Sequence, residues 1–413
     1  MLIIYGCMKL GGIETFFLRL AKFSKKKGVK LKFLLLSERS ESNEELIREL
    51  MSYADVYFYH DLFVKKRLMN KKFILLNSIN IVNLNALLKD VKIIHVTTGQ
   101  HALLVNRLLK LTRLEIPMIV GVYHSQEFCW DIWKIPYFEK IHRNYIFEYI
   151  SDKNILCFSE TTRQFMVDKA KYPLVYAKIF RLGVVDKVLN RVLPNEAFGR
   201  GVIRICAVGR LVKFKTYNIW MIDVIRSLKD KKIDIIFDIY GDGPLAKDIN
   251  LNKGDLNINL KGSFDYSNFN NIVCNYDLFI GSGTAIVQAA SLGVPSIIGI
   301  ESIKEPYTYG FFSDFYKYEY HLSDLDFEKS KVEDLILDFY SMSVDERRLL
   351  SIAHVIASNS FSMDECFNGF FNPEIPYVKT NKLIDFNVFL YYASKISFYI
   401  YCRIFGKDIY YKG

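Results

Sequence analysis

The sequence predicts an α/β fold with two doubly wound, Rossmann-like domains, and three observations lead to this fold class. Short apolar runs alternate with helical stretches through the first half of the 413-residue chain, and a similar series begins near residue 200. Strands that are apolar throughout belong to parallel sheets that are covered by helices on both faces. Residues 186–201 contain Pro194, Gly199 and Gly201 with little periodicity, so we expect this segment to be the interdomain linker.

The first series predicts a parallel sheet in an N-terminal domain of residues 1–190. Gly11 and Gly12 open a helix whose apolar stripe includes Phe16, Phe17 and Leu20. The strands of this domain are predicted at residues 2–5, 30–36, 56–59, 73–76, 93–96, 118–122 and 155–158.

The second series predicts a C-terminal domain of residues 200–358. Two similar α/β halves around one linker form a cleft, and ligands bind in such clefts. From about residue 360 we expect the chain to return to the N-terminal domain, with a tail at 372–413. The strands of the second domain are predicted at 203–208, 233–240, 277–280 and 296–300, and two of its helices at 217–228 and 285–292.

Charge and cysteine content restrict the partners and the setting of the protein. The net charge of +10 suits an anionic partner: nucleic acid, a membrane surface or a phosphorylated substrate. The basic residues are not interleaved with aromatic residues in a nucleic-acid motif, so we expect no nucleic-acid partner. Seven scattered cysteines without a C-x-x-C pair indicate a reduced setting, and no signal peptide is recognisable at the N-terminus. We therefore expect a cytoplasmic protein.

The strongest candidate site lies in residues 275–295. A predicted strand runs into Gly281-Ser282-Gly283-Thr284, and a helix of small residues follows. The glycines permit close approach of the backbone, and the helix start presents unpaired N–H groups and a positive dipole end. This arrangement predicts a site for phosphate or for sugar hydroxyls, although a plain strand–turn–helix has the same glycine spacing.

Two cations follow another predicted strand of the second domain. Gly209 and Arg210 directly follow the strand 203–208, and Lys215 lies five residues after Arg210. The fork of Arg210 can contact two oxygens and Lys215 supplies a point charge, so the pair is suited to neutralise a diphosphate. The alternative is that both are solvated surface cations.

The first domain offers weaker candidates at strand ends. His124 follows the strand 118–122 and is suited to hydrogen-bond a sugar hydroxyl, but a single histidine in this position can equally be structural. The glycine loop Gly11-Gly12 permits a ligand to approach the backbone. Glu14, just after it, is expected to complement the helix dipole.

No metal or cofactor is expected. Asp324-Leu-Asp326 looks like a metal-binding carboxylate string, but it precedes the helical pattern of residues 332–340. A turn or helix-start role is therefore the better interpretation. No further oxygen ligands cluster with these two residues, and the sequence has no metal-spaced Cys/His group.

Taken in chain order, six segments of this sequence resemble those of the retaining GT-B glycosyltransferases of the bacterial "glycosyl transferases group 1" type, over roughly residues 1–365. The resemblance implies a GT-B fold, two Rossmann-like domains facing a central cleft. It also implies transfer of a sugar from a nucleotide-sugar donor to a glycan acceptor with retention of anomeric configuration. His124 would face the donor sugar, and Arg210 with Lys215 would bind the diphosphate. The matching segments are 11–14, 122–124, 182–186, 208–210 with Lys215, 240–244 and 293–295.

The donor segment departs from the family pattern of two glutamates eight positions apart. The second glutamate aligns with Gln288, and the first falls near Ile280. Gln288 can bond ribose hydroxyls without the strength of a carboxylate. Residues 281–284 would replace the first glutamate with backbone and hydroxyl donors, and Glu301 or Glu305 are further candidates. The missing glutamate favours one alternative, a non-catalytic GT-B partner protein, and the intact pair Arg210 and Lys215 argues against it. A second alternative, a nucleotide-sugar epimerase, shares the architecture, but the sequence does not reveal the acid and base groups that it needs.

The tail beyond residue 372 has no counterpart in the resemblance. Residues 386–405 are rich in Phe and Tyr and include Lys395 and Arg403. They predict either an interfacial helix on an anionic membrane or a helix packed back on the N-terminal domain. Together with the basic charge, the interfacial interpretation favours a lipid-linked acceptor and a peripheral position at the inner membrane face. The resemblance implies a role in surface polysaccharide assembly, such as capsule or O-antigen.

Overall fold

The chain forms two compact units, each with its own parallel sheet and hydrophobic core. One unit comprises Met1–Leu182 and Cys366–Gly413, and the other comprises Gly183–Glu365. The computed structural model describes residues 1–9, 11–64, 71–123, 128, 135–170, 173–187, 201–265, 268–371, 376–379 and 382–405.

The first unit contains a seven-stranded sheet in which all strand pairs are parallel. Its strands are β1 (Leu2–Tyr5), β2 (Lys32–Leu35), β3 (Asp55–Phe58), β4 (Ile94–Val96), β5 (Met118–Val122), β6 (Ile155–Cys157) and β7 (Lys178–Ile179). The spatial order is β3-β2-β1-β4-β5-β6-β7. The order reverses between β1 and β4, which is the Rossmann arrangement. Leu2 lies opposite Lys32 on one side and Ile94 on the other.

Helices surround this sheet, and several begin at side-chain caps. Asn80 and Thr98 accept hydrogen bonds from backbone N–H groups at the starts of two of them, which satisfies donors that the helix leaves free. The helices are α1 (Gly12–Lys26), α2 (Glu44–Tyr53), α3 (Tyr59–Leu62), α4 (Ile81–Leu88), α5 (Gly99–Thr112), α6 (Tyr137–Asn144) and α7 (Glu160–Ala170).

The second unit repeats the plan with five parallel strands. They are β8 (Val202–Val208), β9 (Asp234–Tyr240), β10 (Ile258–Gly262), β11 (Leu278–Gly281) and β12 (Ser296–Ile298), in the order β10-β9-β8-β11-β12. A small antiparallel pair, β13 (Tyr307–Thr308) and β14 (Ser330–Lys331), lies outside this sheet. The helices are α8 (Tyr217–Asp230), α9 (Leu245–Asn252), α10 (Phe269–Val273), α11 (Gly283–Ser291), α12 (Phe312–Phe315), α13 (Val332–Ser341) and α14 (Val344–Asn359).

The last two helices are α15 (Met363–Phe371) and α16 (Val388–Ile404). Residues from Cys366 onward belong to the first unit, where α16 packs against α6. In the part of the chain that the structure describes, no helix is both long enough and apolar enough to cross a membrane.

The predicted fold class is confirmed, since both units are α/β and doubly wound around parallel sheets. The strand predicted at 73–76 was wrong. This segment forms a 3₁₀ turn at Lys71–Phe73 followed by a bond from Leu76 N to Phe73 O. Ile74 and Leu75 are buried there, but among the described residues the segment pairs with no strand, so a buried apolar turn has the same local pattern as a strand. Of the expected linker, residues 188–200 lie outside the described residues.

Candidate functional site

The candidate residues of the second unit lie at the carboxyl ends of three parallel strands. β8 and β11 are neighbours in the sheet, and the strand order reverses between them. Loops that leave such a switch point diverge and form the crevice in which α/β proteins bind ligands. Arg210 and Lys215 lie in the loop after β8, and Gly281, Ser282 and Gly283 lie where β11 passes into α11.

The loop after β8 holds Lys215 above a glycine. Two backbone bonds, Val212 N to Arg210 O and Lys215 N to Val212 O, close the loop into consecutive turns. Gly209 has φ +150°, and a Cβ atom built on it would lie 2.8 Å from Lys215 Nζ. A side chain at Gly209 would therefore displace the ammonium group, so glycine keeps Lys215 close to the backbone at the strand end.

Glycines after β9 fix the β8 loop against its neighbour. Gly241 has φ +134°, and a Cβ atom there would lie 2.0 Å from the carbonyl oxygen of Gly209. Gly243 makes a similar approach to Leu211, whose N–H donates to Asp242 O. These backbone contacts leave no room for side chains, which positions the cationic loop without help from the ligand.

A carboxylate from the loop after β12 completes the group. Ser282 Oγ donates a 2.6 Å hydrogen bond to Glu301 Oε1. Ser282 occupies the N-cap position of α11, yet its side chain caps no backbone N–H of that helix. The N–H of Ser302 donates to Phe214 O at 2.7 Å, which ties the loop after β12 to the loop after β8.

The charges of this group influence one another. Burial lowers the pKa of Lys215, the carboxylate of Glu301 raises it, and the guanidinium of Arg210 lowers it. Lys215 is thus a half-buried cation beside a second cation and one carboxylate, an environment in which a bound anion would stabilise the ammonium form.

The buried side of the site is formed by Tyr217, the first residue of α8. Burial raises the pKa of Tyr217, and hydrogen bonding with Ser282 opposes this increase. A Cβ atom on Gly299 would lie 2.5 Å from the Tyr217 ring, so a glycine at the end of β12 makes room for it. Tyr217 is hydrogen-bonded with Ser282 on the buried side of the site, and Ser282 in turn holds Glu301 through its own hydrogen bond.

The start of α11 is open. Gly283 has φ +65°, and among the described residues no atom beyond its own helix turn and chain neighbours lies within 4 Å of a Cβ built on it. Its carbonyl accepts a bond from Tyr320 OH at 3.0 Å. The half-buried Thr284 follows it. The positive end of the helix dipole therefore lies beside the cationic loop, which favours an anion at this place.

Gln288 is engaged elsewhere. Its Nε2 donates to Asn270 Oδ1 at 3.0 Å, toward α10. It lies five residues beyond Gly283, or about 8 Å along the helix axis. Among the described residues no hydrogen bond joins Gln288 to Arg210 or Lys215.

In the first unit, a side chain of helix α1 lies against the glycine loop Gly11-Gly12. Gly11 precedes α1 in extended conformation, and a Cβ there would lie 2.4 Å from Glu14 Oε2. Glu14 also accepts a bond from Tyr5 OH at 3.0 Å. A Cβ on Gly12 would meet no described residue within 4 Å beyond its own helix turn and chain neighbours. Glu14 therefore folds back over the helix start, as a carboxylate that complements the dipole does.

His124 lies outside the described residues, but its neighbour Tyr123 is described. Tyr123 OH is hydrogen-bonded to His95 Nε2 at 2.8 Å. His95 is fully buried, and burial lowers its pKa to about 3. His95 is therefore a neutral structural imidazole at neutral pH, and its Nδ1 has no hydrogen-bond partner within the described part of the chain.

The described residues contain no group of three or more His, Cys, Asp or Glu side chains that could hold a metal ion. Asp324 lies in a turn and Asp326 in a bend, both ahead of β14. Sequence reasoning missed Tyr217 and the hydrogen bond between Ser282 and Glu301. The position of Glu301 just after a predicted strand was the one signal available, because such positions lie at the ligand-binding edge of a parallel sheet.

No known protein-family model matches the sequence, and none of the curated proteins matches it. Solved structures do match in fold. A glycosyltransferase from Rickettsia africae is 14% identical over 91% of this chain and 98% of its own, with a TM-score of 0.60. Anabaena HepE in complex with UDP is 13% identical over 90% and 98%, with a TM-score of 0.58.

The lipopolysaccharide outer core galactosyltransferase WaaB is 13% identical over 72% of this chain and 80% of its own, with a TM-score of 0.50. Identities this low carry information on the fold and leave the activity to be argued from the site. The two doubly wound units and these similarities together show that the chain has the GT-B fold.

Proposed function

We propose that this protein transfers a sugar from a nucleotide-sugar donor to a glycan acceptor. The observation that carries the proposal is the meeting of Arg210, Lys215 and Glu301 at the switch point of the second sheet, beside the start of α11. Two cations and a helix N-terminus match a diphosphate, and a carboxylate beside them matches sugar hydroxyls.

Arg210 and Lys215 would bind the diphosphate and stabilise the charge that develops as it departs. Arg210 is exposed in its loop and free to form a fork with two phosphate oxygens, while Lys215 is half-buried and held over Gly209. Cations fixed in advance at the place where negative charge develops lower the barrier without a metal ion.

Glu301 would accept a hydrogen bond from the donor. One of its oxygens accepts from Ser282, and the half-buried carboxylate retains acceptor capacity at the other. Glu301 would supply a negative charge near the position where the family has its first glutamate. Gly281, Ser282 and Thr284 would add backbone and hydroxyl groups.

The proposal includes retention of anomeric configuration by front-face attack of an acceptor hydroxyl, with the leaving phosphate assisting its deprotonation. His124 would orient the donor sugar. The proposal extends to a glycan acceptor on a lipid carrier, at the inner face of the cell membrane and in surface polysaccharide assembly; the family resemblance and the positive charge support it.

The first test is thermal stabilisation by nucleoside diphosphates and their sugars, with UDP as the first compound because HepE is similar in fold and was solved with UDP. A ligand that binds only the folded state raises Tm. We expect one nucleotide to raise Tm, no shift in Lys215→Ala, and an unchanged shift in Lys213→Ala, which alters an exposed lysine of the same loop. No shift with any nucleotide would favour the non-catalytic partner.

A product assay then separates transfer from epimerisation. A transferase releases nucleoside diphosphate in proportion to acceptor, and Glu301→Gln should weaken binding of the nucleotide sugar more than binding of the free diphosphate. Conversion of the nucleotide sugar without acceptor would identify an epimerase instead.

A further inference from the structure

Helix α16 is apolar on two faces, and its inner face is fixed to the first unit. Tyr391 is completely buried, and its hydroxyl lies 2.8 Å from His142 Nε2 of α6. Tyr392 OH accepts from the N–H of Leu75 at 2.9 Å. Ser394 Oγ accepts from the N–H of Phe138 at 2.9 Å. These bonds hold α16 in one orientation.

Polar groups at the middle of the helix strengthen this attachment. Lys395 Nζ donates to Gln100 Oε1 at 2.6 Å, and burial lowers the pKa of Lys395 to about 8. Ahead of the helix, Asn106 exchanges two hydrogen bonds with the backbone of Ile384, at 3.0 and 2.9 Å. Because α16 cannot rotate or leave without breaking these bonds, its outer face is presented in a fixed direction.

The outer face is a continuous apolar stripe. Phe389, Ala393, Ile396, Ile400 and Ile404 follow one another at intervals of four, three, four and four residues, which places them on one side of the helix. Phe389 is 76%, Ile400 54% and Ile404 71% exposed. The stripe runs about 22 Å along the helix. A helix that is apolar all round belongs in an apolar environment on both sides, and an exposed stripe of this size marks an interaction surface.

Charge identifies the kind of partner. The first unit holds 35 Lys and Arg against 20 Asp and Glu, a formal charge of +15, whereas the second holds 20 against 25, a charge of −5. Residues 386–405 contain no Asp or Glu, and Arg403 is exposed at the end of the stripe. A second copy docked through the same face would bring together two units that each carry a net charge of +15, which is unfavourable. An anionic lipid surface offers both an apolar layer and the opposite charge.

We propose that the outer face of α16 docks on an anionic lipid bilayer. The helix lies in the plane of the interface, with Phe389, Ile396, Ile400 and Ile404 in the acyl boundary and Arg403 among the head groups. The other face of α16 packs against the first unit, whereas a free interfacial helix exposes that face to water. This docking is independent of glycosyl transfer, and its failure leaves the donor site untouched.

The test is co-sedimentation of the full chain with vesicles of phosphatidylglycerol and phosphatidylethanolamine, and with vesicles of phosphatidylcholine alone. We expect binding to the anionic vesicles and a reduction of at least about tenfold in Ile396→Glu/Ile400→Glu, since two exposed isoleucines that would enter the acyl boundary are lost and two negative charges are added. Arg403→Ala should lower binding about fivefold on anionic vesicles only.

The matched control is Leu349→Glu/Ile356→Glu on α14. These two side chains are 66% and 64% exposed, but they lie in the negatively charged unit, so their change should leave vesicle binding intact. Equal binding by the α16 variant and the wild type would overturn the proposal. Absence of wild-type binding to any vesicle would also overturn it, and an oligomer that dissociates in the α16 variant would assign the stripe to a second copy instead.

Discussion

The two units share one plan and use charge in opposite ways. The first unit carries a net charge of +15, yet its histidine in β4 is buried and neutral. The second unit carries −5, yet it concentrates Arg210 and Lys215 at its switch point. The net charge of a unit therefore governs its long-range attraction to a charged surface. Binding of a ligand depends instead on the few charged side chains that lie together at the strand ends.

Two glycines, one in each unit, differ in the space around them. In the second unit, a side chain at Gly241 would collide with the backbone of the adjacent loop, whereas among the described residues no neighbour outside α1 lies within 4 Å of a Cβ atom built on Gly12. The loop after β9 is thus packed backbone to backbone against the cationic loop after β8. The start of α1 at Gly12 makes no such steric demand.

The largest expected effect tests whether the chemistry belongs to the second unit. Lys215→Ala should lower kcat/KM about 10²–10³-fold, because the charge of the departing diphosphate loses a fixed cation. The measurement is the rate of nucleoside diphosphate release in the presence of acceptor. Lys213→Ala, two residues away and exposed, serves as the control. Similar losses in both variants would mean that general loop charge, and not the position of Lys215, is responsible.

The glycine contrast predicts a difference in stability. Gly241→Ala should lower the free energy of unfolding of the second unit by about 3 kcal/mol, because φ is +134° and the new Cβ would lie 2.0 Å from a carbonyl oxygen. Gly12→Ala should change stability by less than about 1 kcal/mol. Urea denaturation measures both. A tolerated Gly241→Ala would show that the two loops are free to separate.

Acid should destabilise the first unit through His95. Its pKa is about 3 in the folded state against an ordinary value of 6.5, so the unfolded chain binds a proton first. The stability that this histidine contributes is present above pH 6.5 and is lost as the pH falls toward 3, amounting to about 2 kcal/mol at pH 5. Calorimetry from pH 7 to 5 measures the loss. His95→Gln should flatten the pH dependence by that amount, and an unchanged slope would exclude His95 as the cause.

The smallest expected effect concerns the attachment of α16 to the first unit. Tyr391→Phe removes the hydroxyl that bonds His142 and should cost about 1 kcal/mol of unfolding free energy. Tyr149→Phe, at an exposed tyrosine of the same unit, should stay within about 0.5 kcal/mol. Denaturant unfolding compares the two. Equal effects would indicate that the bond to His142 contributes nothing to the attachment.

Most strands were predictable because their apolar runs reflect a local pattern. The strand 118–122 has the predicted bounds, and the helix predicted at 285–292 differs from α11 by only a few residues. The segment 73–76 has the same local pattern, but it packs as a turn under Tyr392, a residue more than 300 positions away. No local pattern distinguishes these two outcomes, because the contact that decides between them is distant in sequence.

The sequence by itself determined the doubly wound plan and the candidates Arg210, Lys215 and Gly281–Thr284, since glycines and cations after apolar runs mark the ligand edge of a parallel sheet. It offered Glu301 and Glu305 as equal candidates, and two interpretations of residues 386–405. Only the tertiary structure placed Glu301 against Ser282, and only it showed that α16 packs one face and exposes the other. The physical reason is that a repeating pattern is a property of neighbouring residues, whereas a hydrogen bond between two loops depends on how separate strands are ordered in space.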